Sequence, residues 1–301
     1  MTRFIHDQFA KDYLEEMLTP YGEVKSSRRV SAEVREIDIW FSPRQDANCT
    51  ELGLLGKLAA TDSMFEPFRN PATPDQIRFC LLKLIQVFAE LQRESNRNKT
   101  GLAEVDLPRL WILTPTASDA ILAGFRATPA PDWETGVYFL ADYLRAAIVV
   151  IHRLKRTRET LWLRLLGKGN VQKQAIDEIE NLPPDNPFRS NSLKLLYNLQ
   201  RNLQLRQDID PNDQELVMRL APLYEQEREQ LLREGEQRGI QQGIQQAERR
   251  IIENLLRSRF GDLDPQMSAI IEPILALPAE EFTPLLLQLS REELISRFYR
   301  P

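Results

Sequence analysis

Residues 34–41 read VREIDIWF. Ile37, Ile39 and Phe41 recur at every second position, the period of a strand that hides one face. Asp38 and Trp40 take the other face. Burying a carboxylate is costly unless a cation or a donor meets it. Two readings follow. Either the strand has one wet face and Asp38 is solvated, or Asp38 is a carboxylate placed to hold a metal ion.

The neighbouring sequence makes this strand part of an α/β unit. FIHDQFAKDYLEEML (4–18) spaces Phe4, Ile5, Phe9, Tyr13 and Met17 as a helix does, and Pro20 and Gly22 end it. Residues 22–43 read as two strands. ELGLLGKLA (51–59) reads as a short third strand. Thr73-Pro74-Asp75-Gln76 opens a helix with a capping threonine, proline at the first position and glutamine at capping-box distance. LPRLWILTPT supplies a short buried strand, and GVYFL (136–140) and AAIVVIHRL (146–154) extend the sheet. The order helix, strand, strand, strand, helix, strand predicts an α/β fold with a mixed sheet flanked by helices. TRETLWLRLLGKG, VQKQAIDEIENL and SNSLKLLYNLQRNLQL then read as three helices. A long helix follows from Asp210 to about Arg259. The tail from FGDLDP gives three short helices, the last with Ser290 and Glu293 at capping-box spacing.

Composition narrows the class. With 301 residues, 42% of them hydrophobic and 28% charged, the chain has enough apolar side chains for packed cores. Two cysteines, Cys49 and Cys80, leave no disulfide framework and fit a reducing compartment. The strongest apolar run, AAIVVI, is too short to span a bilayer, and MTRFIHDQF has no signal-peptide core. A cytoplasmic protein without a membrane partner is expected. The net charge of −5 is uneven: residues 145–206 carry +7 between acidic flanks. From Arg145 to Lys173 there are eight basic residues and one acid, Glu159. Arg153, Lys155, Arg156, Arg158, Arg164 and Lys168 form the stripe that neutralisation of DNA phosphates would use. The alternative is a solvated face that balances acidic neighbours.

Several chemistries lack their residues. The two histidines, His6 and His152, and the two cysteines have no zinc-ligand spacing. No P-loop and no nucleophile elbow is present, and GKGN (167–170) follows no predicted strand. Carboxylate chemistry remains, with Mg²⁺ (or Mn²⁺) as the ion that suits carboxylates and water.

The element order, with Asp38 on the second strand, resembles the PD-(D/E)XK nuclease superfamily. More narrowly, HDQFAKDYLEEML and VREIDIWF resemble the Rpn-type recombination-promoting nuclease and transposase proteins. The tail, from EGEQRGIQQGIQQAERRIIENLLRSRFGDLDP through LSREELISRF, is similar to the domain of unknown function 4351 that follows such nucleases, notably in cyanobacteria. The resemblance implies a DNA-directed, Mg²⁺-dependent phosphodiester hydrolase. Two carboxylates would hold the ion, and a lysine near the third strand would orient water or stabilise the transition state. Asp38 takes the first position and Lys57 the lysine position. Leu55 stands where the second acid belongs, so the site is read as degenerate or weak unless another acid substitutes. Glu51 and Glu66 are the candidate second ligands, and Glu15 or Glu16 reaches in from the first helix.

A reading of a different class rests on EGEQRGIQQGIQQ, which places Gly235, Gly239 and Gly243 four residues apart. Each internal glycine costs a helix roughly 1 kcal/mol against alanine, and a close helix–helix contact would offset that loss. On this reading the chain is an oligomerising scaffold, similar over about residues 225–250 to the glycine-repeat helix of flagellar assembly protein H. Four segments are expected: a nuclease-like domain at 1–155, a basic helical extension at 156–209, the long helix at 210–259 and a helical module at 260–301.

Overall fold

The computed structural model describes residues 2–30, 35–183, 185–205 and 211–299. Asp210, the expected cap of the long helix, and Val34 lie outside them. The first helix, α1 (Thr2–Leu18), leads into an antiparallel hairpin, β1 (Gly22–Val30) and β2 (Arg35–Pro43). A 3₁₀ turn (Cys49–Leu52) and the short helix α2 (Leu54–Leu58) precede β3 (Ser63–Pro67). The 25-residue helix α3 (Pro74–Asn98) follows, then β4 (Arg109–Thr114), α4 (Asp119–Gly124), β5 (Thr128–Pro129), β6 (Val137–Phe139) and β7 (Ala146–Val150). The seven strands form one mixed sheet in the order β1-β2-β3-β4-β7-β6-β5. The pairs β3–β4 and β4–β7 are parallel, and the others antiparallel.

The third strand is not where the sequence pattern put it. Leu52, Leu55 and Leu58 are spaced three apart and all buried, which is a helical period. The segment 51–59 is therefore a 3₁₀ turn and a helix. The chain bends at Gly53, which sits at φ 53° against the backbone of Glu159. The true third strand, SMFEP, alternates Met64 and Glu66 toward one face with Phe65 toward the other. The helix start at Thr73 matches expectation: the Thr73 hydroxyl accepts from the Gln76 amide, and the Gln76 side chain accepts from the Thr73 amide.

Two cores cover the two faces of the sheet. On one, α3 and α4 pack Ile77, Cys80, Leu84, Val87 and Leu122 against Met64, Ile112 and Ile148. On the other lie α1, α2, α5 (Leu161–Arg164), α6 (Asn170–Glu180), α7 (Arg189–Gln204) and the first turns of α8 (Pro211–Phe260). Only one turn of the helix expected at 157–169 forms. Residues 161–220 share the core of α1, so the boundaries expected at 155 and 209 do not separate compact units. The chain divides instead into units at 1–223 and 224–301. The second unit buries Ile252, Leu256, Ile271, Phe282 and Leu294. It closes α8 with four short helices rather than three: α9 (Pro265–Ala269), α10 (Ile271–Leu275), α11 (Ala279–Gln288) and α12 (Arg291–Phe298). The Ser290–Glu293 capping box is present. Among the described residues, no helix is long and apolar enough to cross a membrane.

Close approach at α2 generates a prediction. A Cβ added at Gly56 would collide with the carbonyl oxygen and carbon of Cys49, which is backbone and cannot swing away. Gly56→Ala should therefore destabilise the first unit by roughly 1–3 kcal/mol, even though alanine is the better helix former. Urea unfolding will show it as a lower midpoint at unchanged slope.

Candidate functional site

Asp38 lies where the sheet opens. β2 pairs with β3 only at Ile39, Trp40 and Phe41. Toward its start β2 leaves the ladder, and Ile37 packs with Trp40 and Met64 rather than with Ile39 and Phe41 as strict alternation would have it. On the other side, Ser27 of β1 stands opposite Asp38 at φ 54°, and the pairs Ser26–Ile39 and Arg28–Ile37 flank it. In the gap left on the β3 side, the Asp38 amide donates to Glu66 Oε1 at 3.4 Å. The two acids are thus neighbours across diverging strands.

Each acid is met by a lysine from a helix on a different face of the sheet. Lys11 Nζ of α1 lies 2.8 Å from Asp38 Oδ1. Lys83 Nζ of α3 lies 2.7 Å from Glu66 Oε2. The pairs differ in burial: Asp38 keeps about a quarter of its side chain in solvent (26%), whereas Glu66 keeps 2%. Cys80 Sγ, one turn before Lys83, is 3.9 Å from Glu66 Oε2. Burial first, and the Asp38 charge second, push the Glu66 carboxyl up to about 7 despite the Lys83 ammonium. Burial pulls Lys83 down, but Glu66 outweighs it and holds the ammonium above its usual range.

Of the residues picked from sequence, Asp38 and Glu66 come together and the rest do not. Lys57 is on α2; its Nζ donates to the Asp132 carbonyl at 2.5 Å and lies 4.1 Å from the Trp133 ring centre. It is therefore not the lysine of this site. Glu51 stands beside Tyr21 and lines a separate cavity with Arg158, Glu159 and Trp162. Glu16 accepts from Asn191 on α7. Glu15 is half-buried on α1 and enters none of the ion pairs of the cluster. Lys83 and Lys11 were passed over. A lone lysine inside the apolar run CLLKLIQV was the signal for Lys83, since such a residue needs a buried acid or an exit to water.

The basic stripe is largely consumed within the fold. Arg164 is buried and bonds Glu178 through both terminal nitrogens, at 3.0 and 2.5 Å, so it cannot serve DNA. Arg156 shares Glu178 at 2.6 Å. Arg153 bonds Asp119 at 2.7 Å and the Tyr138 hydroxyl at 2.9 Å. Lys155 and Arg158 are exposed, and Lys168 is half-buried with its amide on His152. Most of the stripe lies in the turn and loop before α5, and Asp119 and Glu178 neutralise much of it.

A second polar cluster begins three residues past Glu66. Arg69 donates to Asp213 Oδ1 at 2.7 Å, to Gln172 Oε1 at 3.1 Å and to the Gly167 carbonyl at 2.9 Å, and His6 Nε2 is 3.0 Å from the same Asp213 oxygen. All four side chains are almost fully buried. This network fixes the end of β3 against α1, α6 and α8.

Among the described residues, no three His, Cys, Asp or Glu side chains form a metal-ligand group. The Asp38–Glu66 pair nevertheless suits one ion type. Mg²⁺ keeps several waters and uses one or two carboxylates together with substrate phosphate, whereas zinc needs a fuller protein set. Comparison with family models, curated proteins and solved structures gave no match.

The Glu66 shift has a definite sign. Between its ordinary value of 4.5 and about 7, the folded protein holds a proton that the unfolded chain releases. Stability is therefore highest below this window, falls as pH rises through it, and is flat above. Glu66→Gln should remove that slope and raise stability at pH 8 relative to wild type by on the order of 2–3 kcal/mol. Urea titrations at pH 5 and pH 8 on both proteins measure it.

Proposed function

We propose that the first unit is a Mg²⁺- or Mn²⁺-dependent phosphodiester hydrolase of the PD-(D/E)XK type acting on DNA. The observation that carries this reading is the Asp38–Glu66 pair on adjacent diverging strands, with Lys83 beside the second acid. The element order α1-β1-β2-β3-α3-β4 supports it as well. Glu66 supplies the carboxylate that the sequence placed uncertainly, and Lys83 supplies the lysine from α3 rather than from the third strand. This reading is of a complete site rather than a degenerate one.

Asp38 and Glu66 would hold the ion, which would supply charge neutralisation and a more acidic water. The chain's own groups do the rest. Asp38, partly in solvent, marks the side from which a phosphate enters. Lys83 is protonated at neutral pH and fixes the Glu66 carboxylate by its 2.7 Å bond. Lys11 gives the phosphoryl oxygens a second cationic neighbour once Asp38 turns to the ion. Arg28 takes the ladder position on β1 opposite Ile37, next to Asp38.

A plasmid-nicking assay with Mg²⁺ or Mn²⁺ tests this. Asp38→Ala and Glu66→Gln should each lower nicking by about 10²–10³-fold, and Lys83→Met by a comparable amount; Lys57→Ala should leave it unchanged. Mg²⁺ should also raise the melting temperature of wild type more at pH 8 than at pH 5, because protons and the ion compete for Glu66. No nicking with either ion, or equal nicking by Asp38→Ala, overturns the reading.

A second reading keeps its own observation. On α8, Leu232, Ile240, Ile244 and Ile251 are 46–63% exposed, and nothing lies within 4 Å of where Cβ atoms would stand at Gly235, Gly239 and Gly243. We propose self-association through this helix. Gly239→Leu should then weaken association, because its bulk separates paired backbones, although it favours the isolated helix. Sedimentation of wild type and variant over a concentration series decides it; a monomeric wild type, or an equally associated variant, counts against the scaffold.

A further inference from the structure

Among the described residues, two arginines at the far end of the sheet form no ion pair, and only the negative charge of Asp142 acts on one of them, Arg109. Arg109 opens β4, and Arg145 immediately precedes β7; the two strands pair side by side, with Leu110 opposite Ala146. Both arginines line one cavity of about 360 Å³, within the usual range for small-molecule sites. Among the described residues, neither forms an ion pair or donates a side-chain hydrogen bond. Arg145 Nε is buried and has no partner at all. Glu104 and Asp142 also line the cavity; Asp142 opposes the repulsion on Arg109 through its charge, but neither acid bonds either arginine. A buried donor left unmade is expensive, and so is the proximity of two like charges. Burial first, then Arg145, hold Arg109 below its ordinary value.

The cavity also offers flat apolar faces. The Arg109 guanidinium lies 5.4 Å from the Phe139 ring centre and 5.6 Å from that of Trp111. Tyr143 at the rim is 85% exposed. Arg145 itself is held at φ 46°, a region that costs a non-glycine residue and aims its side chain by constraint of the preceding 3₁₀ turn. A forked pair of cations beside aromatic faces recognises an anion joined to a planar ring.

We propose that Arg109 and Arg145 form a binding site for a phosphate monoester joined to a nucleobase, distinct from the Asp38–Glu66 site. The phosphate takes the two guanidiniums, and the base lies against Phe139 and Tyr143. A free mononucleotide and the 5′-phosphorylated end of a strand share this chemistry. The proposal does not rest on the hydrolase reading, since the two sites have no residue in common.

Binding is read by calorimetry and by the fluorescence of the neighbouring Trp111, on the full chain with wild-type Asp38 and Glu66. The probes are inorganic phosphate, 5′-deoxyadenylate, and a short oligonucleotide with and without a 5′-phosphate. Wild type should bind phosphate weakly and the mononucleotide or the phosphorylated end more tightly. Arg145→Gly should weaken both by about tenfold or more while melting no lower than wild type, because glycine relieves the left-handed backbone. Tyr143→Ala, at an exposed position, should weaken the mononucleotide and leave phosphate unchanged. Preference for the mononucleotide over the phosphorylated strand, or the reverse, names the source. No response to millimolar phosphate and mononucleotide, or undiminished binding by Arg145→Gly, overturns the site.

Discussion

The divergence of β2 from β3 shapes the Asp38–Glu66 cluster and the packing around it. A continuous ladder would carry Asp38 and Glu66 into backbone pairing and leave no room for lysines from two faces. Because pairing stops at Ile39, the amide of Asp38 turns to a carboxylate instead of a carbonyl. That exchange places two acids side by side in a partly buried slot, which is tolerable only with positive charge close by. Lys11 and Lys83 provide it from helices on opposite sides of the sheet.

The same balance explains why the cores are built as they are. α3 presents Ile77, Cys80, Leu84 and Val87 to the sheet, with Lys83 at the margin of that stripe. Its alkyl stem crosses apolar surface and its ammonium ends on Glu66. On the opposite face Tyr13 donates to the Trp162 carbonyl at 3.0 Å, and Trp111 donates to the Leu58 carbonyl at 2.8 Å. These bonds satisfy aromatic polar atoms in a dry core and lock α1, α2 and α5 beneath the strands. The ends of β3 are therefore held, and the position of Glu66 with them.

Much of this was legible in the residues. The capping box at Thr73 and the helical spacing of α1 and α6 each depend on neighbours a few positions away, and each stands in the structure; the period-two pattern around Asp38 holds for Ile39 and Phe41 but not for Ile37. The third strand did not, because ELGLLGKLA is equally apolar read as strand or helix, and only the burial of Leu52, Leu55 and Leu58 on one side decides it. Glu66 was named as a candidate partner of Asp38 and adjoins it, though on a strand that the sequence pattern had placed elsewhere. Lys11 and Lys83 were invisible as partners because their acids lie 27 and 17 positions away, on other elements. The basic run at 145–206 misled for a related reason: a charge count includes Glu178 but cannot show that it folds back on both Arg156 and Arg164, or that Asp119 from outside the run takes Arg153.

The His6–Asp213 bond spans 207 residues. His6 packs with β3 and the start of α8, and its bond to Asp213 forms only once residue 213 exists. On a ribosome adding residues at about 5–20 per second, some 10–40 s separate the two. During that interval the apolar side of α1, with Phe9, Tyr13 and Leu14, lacks the later helices that cover it. Vectorial synthesis thus completes the packing around α1 only after residue 213 has emerged.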